Sequence, residues 1–210
     1  MFAVGQKIDY DIRTYRYHRK DTTDRYAKAK IAAGAVAGAA IPTLLLAKKQ
    51  KTSVFKLKYG LKEMFLTSSS AIAGGLLSGL AFDKKEHRTQ KVHEGVFQFM
   101  NSSVPMFLTA GIYSLVNKMK LQEYKSLKIG GTVLGLVGGM HLAAKMSNFI
   151  NDPYDKIPDR KLTLKDSVAN IDDAIGVLML AKVPVAQKIQ AEKILPAIYS
   201  LCGYRAGTSS

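Results

Sequence analysis

The sequence predicts an all-α polytopic membrane protein: four transmembrane helices in two antiparallel hairpins, followed by short C-terminal interfacial helices. Three observations lead there. Four windows, Ile31 to Ala47, Met64 to Phe82, Gly95 to Asn117 and Ile129 to Ala144, run 16 to 23 residues without an Asp, Glu, Lys or Arg. A helix rises about 1.5 Å per residue, so a hydrocarbon core of about 30 Å is crossed by about 20 apolar residues. All the charge behind the net +15 lies outside these windows, and the mean hydropathy of -0.01 therefore averages two unlike populations. Finally, the windows lack the polar residues at every third or fourth position that the wet face of a soluble helix requires.

The segment before the first window holds eight Lys or Arg together with Tyr10, Tyr15, Tyr17 and Tyr26. Arg and Tyr interleaved in this way can bind nucleic acid by phosphate contact and base stacking. Next to a spanning window, anionic lipid headgroups are the favoured partner, each cation near the surface adding about 1 kcal/mol. The segment lacks the apolar core and cleavage site of a secretory signal, and Asp9, Asp11, Asp21 and Asp24 are foreign to a mitochondrial presequence, so the first window is expected to act as an uncleaved anchor. Asp21, Thr22 and Thr23 offer N-cap chemistry for its helix, and Pro42 predicts a kink in the last third.

The windows at Ile31 and Ile129 span 17 and 16 residues, so each needs flanking Tyr or Lys stems, or a locally thinned bilayer, to cross. Between the first two windows, Lys48 to Glu63 mixes six lysines with Val54, Phe55, Leu57, Tyr59 and Leu61, which suits an interfacial stretch. The connections Asp83 to Glu94 and Lys118 to Lys128 are short and carry four basic residues each, and short connections make neighbouring helices antiparallel. With four spans, one side holds 21 basic residues against 10 on the other, which predicts that both termini are cytoplasmic.

After Ala144 the character changes. Residues Asn151 to Asp173 carry six aspartates and two prolines and read as a linker; beyond them, apolar pieces broken by Pro184 and Pro196 are too short to span separately. They predict short helices on the membrane face, with a broken or re-entrant fifth segment buried against the bundle as the alternative. The chain therefore divides into a basic N-terminal segment (1–30), a four-helix transmembrane bundle (31–144), an acidic linker (145–173) and a short-helical C-terminal region (174–210).

Glycine spacing is the sharpest local signal. Gly34 and Gly38, Gly75 and Gly79, and Gly131, Gly135 and Gly139 recur every four residues and so share a helix face on which another backbone can approach. Packing inside one protomer is favoured over self-association. The third window is richer in Phe and Met and is expected to face more lipid. Within it, Asn101, Ser102, Ser103 and Pro105 form a polar break, and unwound backbone at such a proline can coordinate a solute. His141, an ionisable residue in the fourth window, joins them as a candidate polar site, although an interfacial role is favoured.

No cofactor or metal is expected. His87, His93 and Glu94 lack the helical spacing of a metal pair, and Asp152, Asp155 and Asp159 lack the alternation and glycine of a calcium loop. Asp172 and Asp173 precede an apolar helical run, where acids complement the helix dipole. Cys202 is the single cysteine, which excludes an intramolecular disulfide and a cysteine-based metal site. The leading expectation is thus a non-catalytic membrane component that binds anionic lipid and associates with itself or a partner subunit. A small permease or channel using the polar break is the chief alternative, and a membrane-bound enzyme is third.

Overall fold

The computed structural model describes residues 22–120, 125–156, 159 and 193–210, and those residues are helical with no strand among them. Residues 1–21, 121–124, 157–158 and 160–192, which include most of the basic N-terminal segment, Asp172 and Asp173, lie outside the described residues. The helices are α1 (Arg25–Gln50), α2 (Leu61–Phe82), α3 (Arg88–Lys118), α4 (Lys125–Asn151) and α5 (Leu195–Thr208). Four stretches, Arg25–Gln50, Leu61–Phe82, Lys85–Lys118 and Ile129–Asn151, are long and apolar enough to cross a membrane. The two windows that looked short are each extended by flanking residues into helices of 26 and 27 residues, about 40 Å of rise.

Local chemistry sets the helix ends. Asp24 caps α1 by accepting the Tyr26 N–H at 2.9 Å, one to three residues past the expected capping group. Thr22 and Thr23 are engaged elsewhere. Helix α1 runs through Pro42 without interruption and stops at Lys51, whose φ of 50° turns the chain left-handed. There the Thr52 N–H closes on the Ala47 carbonyl at 3.1 Å, the geometry of a helix C-cap. The Glu63 carboxylate reaches back to the Gly60 N–H at 3.2 Å and opens α2, which ends where the Asp83 N–H meets the Gly79 carbonyl.

Helix α1 packs along α2 and α3 along α4, while α5 lies against α2, α1 and α3. The bundle has two ends. One carries Thr22, Asp83 and Ser210; the other carries Lys51, Leu57 and Lys118. Leu195 and Tyr199 share a core with Leu46, Leu57, Tyr59 and Met64, so α5 starts at the Lys51 end and runs beside α2 in the same direction. Helix α4 finishes at the opposite end, where the Asn151 side-chain amide donates to the His93 carbonyl at 3.1 Å.

Several expectations are corrected. The final helix, Leu195–Thr208, is not laid on the membrane face: Leu195, Tyr199, Cys202, Gly203, Ala206 and Gly207 are buried inside the bundle. The acidic linker does not begin at Lys145, because α4 continues to Asn151. Helix α3 does not face more lipid than its neighbours, since it meets α2, α4 and α5, whereas α4 packs extensively on α3 alone among the described helices. Tyr59, expected within an interfacial stretch, is buried, and burial pushes its phenol up while the Thr43 hydroxyl works the other way.

Backbones come closest between α2 and α5. A side chain placed on Gly75 would run into the Gly203 carbonyl, and one on Gly79 into that of Gly207. Replacing Gly75 with Leu should therefore displace α5 and cost about 1–3 kcal/mol or more. Thiol labelling reads this directly, because the buried Cys202 is the chain's single thiol: G75L should react with a maleimide faster than the parent, whereas G111L, at an exposed position with open space around it, should not.

Candidate functional site

The most concentrated set of polar contacts sits at the Thr22 end, where four elements converge. Asp83 leaves α2 as its C-cap, a short 3₁₀ turn (Lys85–His87) reverses the chain, and Lys91 follows one turn into α3. The Lys91 ammonium lies 2.7 Å from Asp83 Oδ2 and donates to the carbonyls of Gly207 at 2.7 Å and Ser209 at 2.9 Å. Three N–H groups thus meet three acceptors. The Lys91 side chain is 0% exposed, so every one of those partners replaces water. Two of the acceptors belong to the end of α5, whose unsatisfied carbonyls and dipole both favour a cation.

Further groups close around the same carboxylate. His87 Nδ1 is 2.9 Å from Asp83 Oδ2, and its Nε2 is 3.2 Å from the Thr22 hydroxyl. Thr23 Oγ1 lies 3.3 Å from Asp83 Oδ2 and 3.0 Å from the Thr208 carbonyl, and its single proton serves either. The Ser210 hydroxyl accepts the Thr22 N–H at 3.0 Å. Burial by itself would push the Asp83 carboxyl up, but the hydrogen bonds from Lys91 and His87 outweigh it and hold it well below the usual carboxylate range.

From Lys91 a buried polar series continues down one face of α3. Gln98 Nε2 donates to Glu94 Oε1 at 2.8 Å, and Arg205 Nη2 of α5 approaches the same oxygen at 3.9 Å. Asn101, Ser102, Ser103 and Thr109 follow on buried positions. The sequence places Lys91 and Glu94 in a loop because the uncharged window begins at Gly95. Their spacing to Gln98 and Asn101, three or four residues each time, was the signal that they belong to the helix.

The predicted polar break is a correction. Helix α3 runs unbroken from Arg88 to Lys118 with Pro105 inside it, so no unwound backbone opens there. The Pro105 carbonyl accepts the Thr109 hydroxyl at 2.8 Å, and the Ser102 hydroxyl donates to the Phe99 carbonyl at 3.2 Å. Ser103 is buried with its hydroxyl unpaired. His141 is exposed on α4, away from the face that meets Pro105, so the structure does not bring it to Asn101, Ser102 and Ser103.

The singled-out glycines all sit in contacts within the chain. Gly34 meets Ser78 and Gly74, and Gly38 meets the Ser70 carbonyl; Gly75 and Gly79 meet Gly203 and Gly207; Gly135 and Gly139 meet Thr109 and Pro105. A Cβ on Gly131 would lie 2.9 Å from the Ile112 methyl. Gly203 and Gly207 share the same four-residue spacing and were missed because their helix is too short to register as a span. Among the described residues no group of three or more His, Cys, Asp or Glu side chains is arranged to hold a metal ion. Among the described residues, an open groove beside Ala110, Tyr113, Ser114 and Asn117 is lined by α3.

The Asp83 and Lys91 pair carries two expectations. Removing the cation while leaving the carboxylate buried, as in K91M, should cost about 3–5 kcal/mol in denaturant unfolding. The folded carboxyl titrates below the unfolded one, so its contribution is complete at neutral pH and is lost as pH falls below about 4. Stability measured between about pH 7 and about pH 3 should show that acid loss in the parent and lack it in D83N. Comparison with protein-family models, with curated proteins and with solved structures gives no match for this chain.

Proposed function

We propose that the chain is a non-catalytic multi-pass membrane component, built as two antiparallel hairpins, α1 with α2 and α3 with α4. In this reading α5 completes the bundle, the basic ends contact anionic headgroups, and the outer face of α4 is open to lipid or to a partner subunit. The observation that carries it is the surface of α4. Ile129, Val133, Leu134, Val137, Phe149 and Ile150 are exposed along a helix whose extensive packing is on α3 alone among the described helices. A surface of that kind in water would be an aggregation hazard, and in a bilayer it is ordinary.

Two further features support a packing role over chemistry. The ionisable side chains Asp83 and Lys91 are consumed in holding α5, and the glycine faces are filled by neighbouring helices, which leaves self-association to the α4 face. Both termini on the cytoplasmic side agrees with the Thr22 to Ser210 hydrogen bond, which joins the first and last described residues at one end, and with the eight basic residues before the first window.

Reconstitution tests the reading. The chain should resist extraction from membranes by alkaline carbonate, carry anionic phospholipid in native mass spectra, and leave liposomes tight to small ions and solutes. A flux that Asn101→Leu abolishes would establish the permease instead. Because Gly139 lies against Pro105 of the same chain, G135L/G139L should weaken folding by about 1–3 kcal/mol or more rather than change the oligomeric state alone.

A further inference from the structure

The connection between α1 and α2 is a fixed cationic platform. Lys48, Lys49, Lys51, Lys56, Lys58 and Lys62 are all exposed, and none of them makes an ion pair among the described residues. The nearby carboxylate of Glu63 is turned back to the Gly60 N–H. Beneath the lysines the backbone is pinned. The Gln50 side chain donates to the Lys58 carbonyl at 2.6 Å and accepts the Lys58 N–H at 2.9 Å, while Leu57, 1% exposed, and Tyr59 anchor the stretch in the core.

Phe55 stands at the outer tip of this structure, on the 3₁₀ turn Val54–Lys56, and is 65% exposed among the cations. Lys51 has φ of 50° and Lys120, in the connection after α3 at the same end, φ of 55°. Glycine is the usual occupant of that backbone region. A lysine thus stands at both positions where the backbone would favour a residue without a side chain.

Clustered like charges on a rigid loop repel one another, and a layer of phosphate groups relieves that repulsion. A free anion would satisfy the lysines and make no use of Phe55. At a bilayer surface both features are used: lysine stems extend to the headgroups while the ring enters the boundary with the acyl chains. We infer that residues 48–62 form a docking surface for the phosphate groups of anionic phospholipids in the leaflet they face, with Phe55 as its apolar anchor. The inference rests on the membrane reading above and assigns lipid binding to one loop.

The chain has no tryptophan, so F55W introduces a single indole at the tip. The full chain carrying F55W is reconstituted in vesicles of phosphatidylcholine and phosphatidylglycerol, with bromine on the acyl chains of one lipid at a time. Relative association should favour brominated phosphatidylglycerol by about fivefold or more, the equivalent of at least one surface lysine. It should fall toward parity in F55W/K51Q/K56Q/K58Q with helical circular dichroism unchanged. F55W/K48Q/K49Q, which leaves the loop backbone untouched, should reduce it if the triple variant does not fold. Inorganic phosphate added to phosphatidylcholine vesicles should leave the emission unaltered. Equal quenching by the two lipids, no quenching by either, or a preference that survives the lysine substitutions overturns the docking surface. Release of the chain by alkaline carbonate overturns the membrane reading on which it rests.

Discussion

A buried ammonium ties the ends of four segments together. Lys91 reaches from α3 to the carboxylate that ends α2 and to two carbonyls that end α5, and the same carboxylate is approached by Thr23 before α1. A cation with no exposure is tolerable only when every donor is matched, and the acceptors here are held in place by the ends of two different helices, α2 and α5. The ion pair, the helix dipole of α5 and the turn through Lys85–His87 are therefore one constraint. Moving any of them leaves a charge or a carbonyl unsatisfied where water does not reach.

Between the two ends, contact is made by the absence of side chains. Helices in hydrocarbon gain little from burying apolar surface against one another, so close backbone approach and dispersion have to hold them. Gly75 and Gly79 bring α2 onto Gly203 and Gly207 of α5, while Gly34 and Gly38 bring α1 onto the adjoining face of α2. Helices α1, α2 and α5 thereby meet as a close-packed trio, and the small residues Ser70, Gly74 and Ser78 of α2 serve the α1 contact as Gly75 and Gly79 serve the α5 contact. The α2 and α3 faces are filled differently, with Phe65 edge-on to Phe99 and Phe107 at centroid separations of 5.9 and 5.3 Å.

Charge is distributed unequally in kind between the ends. At the Thr22 end, Asp83 and Glu94 meet Lys91 and Arg205 in the interior, while Lys84, Lys85 and Arg88 stay exposed around them. At the Lys51 end, the lysines point out from a loop whose apolar residues, Leu57 and Tyr59, are turned in. Both ends display cations, but the Thr22 end also encloses an ionic cluster. The pinned lysine loop with Phe55 exposed at its tip is what makes the Lys51 end the lipid-contacting surface proposed here.

How much of this could be read beforehand depended on range. Long uncharged windows and four-residue glycine spacing are local properties of the chain, and they were sufficient for an all-helical bundle with four membrane-length helices. Helix ends were harder to place, since Lys91 and Glu94 carry charge that normally marks a loop, and only the partners supplied by Asp83 and α5 make their burial affordable. Pro105 looked like a break because the neighbour that accommodates it, Gly139, is distant in sequence. The place of α5 was likewise decided by tertiary contact: fourteen residues are too few to span a bilayer alone, and they become part of the core only because α1, α2 and α3 leave a glycine-lined slot and a cation at its end. Composition alone determined that the helices would be apolar and long; which faces met, and which charges were enclosed, followed from packing between residues far apart in the chain.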